Sequence, residues 1–181
     1  MSGGGPGGRL AGRGDGRPGA PAGELGRICL REVRRADLEA MYRLDHACFE
    51  PGIAFTRAEI RAFLDLESLQ GLVAEAAGRF VGFAIGYLRR PALGGVLTLD
   101  VDPRARRRGV GRVLFAELLA RLESAGASVI RLEVDVRNEA AAAFYRSFGF
   151  RRLGRLADYY GPGRDGFEME RLAGGVIRGS S

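Results

Sequence analysis

VLTLDVDPRARRRGVGRVLFAELLARLESAGASVIRLEV, residues 96–134, is the stretch whose reading decides the fold. It opens on an apolar run, VLTLDV (96–101), of strand length. A helix follows from near Gly109 to Ser124, with Val110, Val113, Leu114, Leu118 and Leu122 on one stripe. Gly126 ends it, and VIRLEV (129–134) is a second strand. Strand, helix, strand in this order is a crossover unit, so the two strands should run parallel or nearly so.

The flanks extend the pattern. Residues 26–33 suit a first strand, and Leu38 to Phe49 carry a helical period broken at Pro51 and Gly52. Thr56 with Glu59 forms a capping box that starts a helix through about Leu66. LVAEA (72–76), a turn at Ala77-Gly78 and FVGFAIGYL (80–88) predict an antiparallel hairpin. RRPALGG (89–95) reads as a loop. Asn138 caps a short helix through Phe148, and Gly149 stops it. FRRLG and FEMERL are the last two strands. The expectation is an α/β fold: a mixed central sheet of six to seven strands flanked by about four helices. Residues 1–24, rich in Gly, Pro and Arg, read as a disordered tail, 25–173 as one domain, and 174–181 as a flexible C-terminal tail.

Charge alone decides little. The chain of 181 residues has a formal charge of +6 and no lysine, so compositional bias explains the arginine as well as selection does. The arginines are scattered, and no aromatic-interleaved basic platform appears, which speaks against nucleic-acid binding. Two cysteines, Cys29 and Cys48, and the single His46 make neither a disulfide framework nor a zinc site, so no metal is expected. No apolar run reaches the ~20 residues of a membrane span and no secretory signal opens the chain, so a cytoplasmic protein with no membrane partner is expected.

Chemistry concentrates at R-x-x-G-x-G, Arg106 to Gly111, between a strand end and a helix start. The first turn of a helix offers unpaired N–H groups and partial positive charge to an anion. Gly109 and Gly111 let a pyrophosphate approach the backbone, with Arg107, Arg108 and Arg112 nearby. Neither the dinucleotide fingerprint nor the P-loop is present.

V-D-P-x-x-R-R-R-G-V-G (101–111) and N-x-x-A-x-x-F-Y-x-x-x-G-F (138–150) together resemble the acetyl-CoA-binding core of the GCN5-related N-acetyltransferases. Within that superfamily the chain is most similar to the ribosomal-protein alanine N-terminal acetyltransferases. The similarity rests on L-E-V (132–134), Asn138, Phe144-Tyr145, Tyr159-Tyr160 and D-G-F-E-M (165–169), where Gly166 replaces the family's usual alanine. The match of F-E-P-G-I-A-F-T (49–56) is looser.

The resemblance implies splayed parallel strands at the cofactor site and acetyl-CoA as co-substrate. It implies Glu133 as general base, Tyr145 as general acid, and the Val101 backbone N–H as oxyanion donor. Leu99 and Asp100 would pair through their backbones with the pantetheine arm. Arg106, Arg107, Arg108, Gly109, Val110, Gly111, Arg112, Asn138 and Tyr145 complete the cofactor set, and Phe55, Tyr159 and Tyr160 the acceptor side. From helical geometry, Phe144 and Phe148 face the core and Tyr145 lies off that stripe. An α-amino group, with a pKa of about 7.7–8.0, is within reach of a carboxylate base, and no acyl-enzyme nucleophile stands out. The expected activity is direct acetyl transfer in a ternary complex to a protein or peptide N-terminus, ribosomal proteins included. The alternatives are a small amine or lysine side chain, and a non-catalytic acyl-CoA-binding module. A monomer or weak dimer is expected.

Overall fold

The computed structural model describes residues 9–10, 26–89 and 92–174. Seven strands of five residues or more form one mixed sheet. They are β1 (Ile28–Glu32), β2 (Leu69–Ala76), β3 (Arg79–Arg89), β4 (Leu93–Val101), β5 (Val129–Asp135), β6 (Arg151–Leu156) and β7 (Gly166–Leu172). Their order is β1-β2-β3-β4-β5-β7-β6. β4 and β5 are parallel, as the crossover unit requires, and the other neighbours are antiparallel. The helices are α1 (Leu38–Cys48), α2 (Arg57–Leu64), α3 (Val110–Ser124) and α4 (Glu139–Ser147).

Two apolar layers sandwich the sheet. On one face α3 and α4 bury Leu114, Phe115, Leu118 and Tyr145 against Leu99, Ile130, Leu132 and Met169. On the other, α1 and α2 bury Met41, Phe55, Ile60 and Phe63 against Val73, Phe83, Ile85 and Leu97. The Thr56–Glu59 box is formed, each partner taking a backbone N–H of the other.

Several boundaries differ from the sequence reading. α2 stops at Leu64, two residues short of Leu66. β2 and β4 begin at Leu69 and Leu93, three residues earlier than their apolar runs, because glycines at 71, 94 and 95 pair in the sheet without adding hydrophobic signal. Val113 is 42% exposed, whereas Phe115 and Leu119 are buried. The buried stripe of α3 is therefore wider and rotated, since the helix packs on the sheet and also receives the aromatic side chains of α4.

Of the two expected tails, residues 1–8, 11–24 and 175–181 lie outside the described residues. Arg9–Leu10 form a two-residue strand, parallel to β4 opposite Thr98 and Leu99.

Candidate active site

The site begins where β4 and β5 part. They pair only from Leu93–Gly95 to Val129–Arg131, yet β4 runs on to Val101 and β5 to Asp135. A register irregularity between β3 and β4 at Ile85/Gly86 gives β4 an extra residue, Leu97, just past the last residue paired with β5. Such bulges bend a strand and raise its twist, which helps it to leave its neighbour. Leu99, Asp100 and Val101 line the β4 side, and Glu133 the β5 side.

Alternation on β5 assigns the faces. Ile130, Leu132 and Val134 join the α3/α4 core, so Arg131 and Glu133 face the α1/α2 side, where Glu133 is half-buried. Tyr145 approaches from the opposite face. It is fully buried, and its hydroxyl has no hydrogen-bond partner among the described residues. Burial, followed by the charges of Asp100 and Glu133, holds its phenol far above the ordinary tyrosine range. A protonated hydroxyl, within electrostatic reach of both strands, thus sits at the opening.

The aromatic order on α4 corrects the sequence reading. Tyr145 is the most buried ring on this helix, and Phe144 is only half-buried. Phe115 of α3 is the hub that sets this order. Its ring centroid lies 5.3 Å from Tyr145, 4.9 Å from Phe148, 5.6 Å from Phe144 and 5.8 Å from Phe150. Asn138 caps α4, its side-chain oxygen accepting from Ala141 N–H at 3.0 Å.

α3 presents the second element of the site. Its N-cap is Gly109, at φ +83°, a conformation that costs other L-residues a Cβ clash. No side chain caps this terminus, so the first-turn amides of Val110, Gly111 and Arg112 are not taken by a cap. Arg107, also left-handed at φ +59°, and Gly109 are exposed, and Arg108 is half-buried. Arg106 turns back, its Nε donating to the Val101 carbonyl at 3.3 Å. Arg112 lies over the Phe148 ring, 5.2 Å from its centroid.

The β4 end is polar beneath its apolar surface. Asp100 is fully buried and accepts from Thr98 Oγ1 at 2.5 Å. Cys48 Sγ donates to the Val101 carbonyl at 3.4 Å, and its thiol is pushed up to about 12 by burial first and by Asp100 second. Cys48 is therefore an inert thiol at neutral pH.

The acceptor-side residues separate. Phe55 is buried in the α1/α2 core, its ring edge-on to Phe63 at 4.7 Å and its N–H on Asp45 at 2.6 Å. Tyr159 and Tyr160 are half-buried and T-stacked at 5.0 Å in the β6–β7 loop. A Cβ at Gly166 would lie 3.3 Å from both tyrosines, so an alanine there would press on the pair. The sequence reading missed Tyr87, Glu168 and the buried Asp100 carboxyl. Each acquires its place only through strand register.

Among the described residues no helix is long and apolar enough to cross a membrane. Residues 38–150 match the model of the acetyltransferase (GNAT) family. The N-alpha-acetyltransferase RimI of Mycobacterium tuberculosis is 43% identical over 151 residues, 81% of this chain and 94% of the relative. The [ribosomal protein bS18]-alanine N-acetyltransferase of Escherichia coli is 30% identical over 142 residues, 77% of this chain and 90% of the relative. The crystal structure of Ard1 from Thermoplasma volcanium superposes with a TM-score of 0.73 at 30% identity, covering 80% of this chain and 97% of that one. A sheet opened between two parallel strands, an uncapped helix mouth beside it and these likenesses converge: the chain belongs to the GNAT acetyltransferase family and is an N-acetyltransferase.

Proposed function

We propose that the protein transfers acetyl from acetyl-CoA to the α-amino group of a protein N-terminus. The observation that carries this reading is the buried Tyr145 hydroxyl, without a hydrogen-bond partner among the described residues, on the opposite side of the strand opening from Glu133. A buried, unpaired hydroxyl costs about 1–3 kcal/mol, and a catalytic role is one reason for a fold to retain such a group. The relatives named for α-amino and ribosomal-protein alanine acetylation support the choice of acceptor.

The residues present fit the co-substrate. The edge of β4 beyond Gly95 is not paired by β5 but by the two-residue strand Arg9–Leu10, opposite Thr98 and Leu99, so an extended arm would take the place of that short strand to reach the backbone of Leu99 and Asp100. The amides of Val110, Gly111 and Arg112, with Arg107, Arg108 and Arg112, suit a diphosphate. Asn138, the N-cap of α4, would complete the set. When bound, acetyl-CoA supplies an activated acyl group with a thiolate leaving group.

The chain's own groups do the rest. Glu133, through water, takes the proton that frees the acceptor amine. The Val101 N–H donates to the carbonyl oxygen as negative charge grows there. Tyr145, kept neutral by its surroundings, donates to the departing sulfur. Both reactants are held at once, which makes this direct transfer. Phe55 backs the acceptor wall, and Tyr159 and Tyr160 cover the channel mouth. Incubating the purified protein with acetyl-CoA and either N-terminal peptides or polyamines, amino acids and lysine-containing blocked peptides tests the assignment. Turnover of unblocked peptides is expected; turnover of the small amines alone overturns it.

A further inference from the structure

A cavity of about 130 Å³ lies on the α1/α2 face beside the closed end of the strand opening. Tyr87, Arg89, Gly95, Arg131, Glu133 and Glu168 line it. Four strands assemble it by register alone. Tyr87 on β3 pairs with Gly95 on β4, Gly95 with Arg131 on β5, and Glu133 on β5 with Glu168 on β7.

We propose that this cavity is the water chamber through which Glu133 receives the acceptor's proton, and that Tyr87 is the positioning residue that orders its water. The inference rests on the reading of Glu133 as base.

Three observations carry it. First, room: at ~30 Å³ per water the cavity holds about four molecules, and its polar lining supplies the two to four partners each needs. Second, a fixed ring. A Cβ on Gly95 would lie 2.4 Å from Tyr87 Cζ, 2.5 Å from Cε1 and 2.7 Å from the hydroxyl oxygen. The hydroxyl end of Tyr87 therefore lies directly over the Gly95 backbone, in a place that only glycine at 95 allows. Third, a fixed far wall. Arg131 is held by Glu170 at 3.0 Å and by Glu168 at 3.4 Å, so its guanidinium is anchored rather than free to swing.

The charged groups facing the chamber are Arg89 from β3, Arg131 and Glu133 from β5, and Glu168 from β7. Burial raises the Tyr87 phenol, the Glu133 charge raises it further, and Arg89 opposes. Tyr87 thus remains a hydroxyl, able to donate to water, throughout the neutral range. The proton step balances simply. The acceptor ammonium gives a proton to a chamber water while that water gives one to the Glu133 carboxylate. Tyr87 neither gains nor loses a proton.

The test uses the full chain and the Tyr87→Phe variant, which keeps the ring and removes the hydroxyl. With acetyl-CoA and an N-terminal peptide, kcat at pH 7 should fall about tenfold, with the acetyl-CoA KM unchanged. The defect should shrink toward pH 9, where an α-amine of pKa about 7.7–8.0 is already neutral and needs no relay. A loss equal at every pH, or no loss, overturns the proposal. A second measurement needs no turnover. NMR titration of the Tyr87 ring, assigned by its absence in Tyr87→Phe, should show a lower pKa in Glu133→Gln than in the parent, and identical titrations overturn the proposal. If the parent turns over no peptide at all, the acetylation reading fails on that result, and the ring titration still decides whether Tyr87 and Glu133 share the chamber.

Discussion

Tyr145→Phe should make the protein more stable and less active. The substitution conserves the ring, its packing on Phe115 and the helix propensity of α4. It deletes only a hydroxyl that is buried without a hydrogen-bond partner among the described residues. Removing such a group recovers a desolvation cost of about 1–3 kcal/mol. For a chain of this size each kcal/mol moves Tm by about 2–4 °C, so a rise of roughly 2–12 °C is expected in the free protein. The assays are a thermal melt with and without acetyl-CoA and a steady-state rate. The coenzyme should raise the parent's Tm more than the variant's, because only the parent has a hydroxyl to pair with the sulfur. The rate should fall by about 10²–10⁴, the usual worth of a general acid. A lower Tm in the free variant would mean that the hydroxyl is already satisfied in the fold. An unchanged rate would remove Tyr145 from the chemistry.

Three further outcomes follow from the same structure. Gly109→Ala meets no atom within 4 Å, so its cost is the left-handed backbone alone, about 1–2 kcal/mol, read by denaturant unfolding, with weaker acetyl-CoA binding by calorimetry. Asn138→Ala removes the α4 cap and should cost about 0.5–2 kcal/mol of stability while lowering kcat through Tyr145, both checked on one preparation. Asp37 lies between the Arg31 guanidinium, at 2.8 Å to each carboxyl oxygen, and the Arg34 N–H at 2.7 Å, and Arg31 above all holds its carboxyl below the usual range. Its stabilisation is present above the unfolded pKa of about 3.9 and is lost as pH falls through the lower folded value. Asp37→Asn should therefore destabilise at pH 7 and converge on the parent in acid, as followed by melting between pH 2 and 7.

The legibility of the sequence divides along the distance between partners. The crossover unit 96–134 was readable because its signals are local: apolar runs, a helical stripe, and glycines at its ends. So were the Thr56–Glu59 box and the Asn138 cap, whose partners lie three residues apart. The depth of Tyr145 was not readable. A helical wheel gives the angle between Phe144 and Tyr145 but not which of two buried directions the short α4 turns to the sheet, and Phe115, 30 residues away in sequence by its number, decides that. The Tyr87 chamber was hidden for the same reason, since it depends on three strand registers at once.

The aromatic hub on α3 has a mechanical corollary. On the proposed reading, one rigid rod would present its open mouth to the diphosphate and, between one and two turns further along, hold the ring that would serve the sulfur. Grip on the nucleotide end and aim at the reacting end are thereby yoked to a single body. A change at Phe115, remote from every reacting atom, should disturb affinity and turnover together.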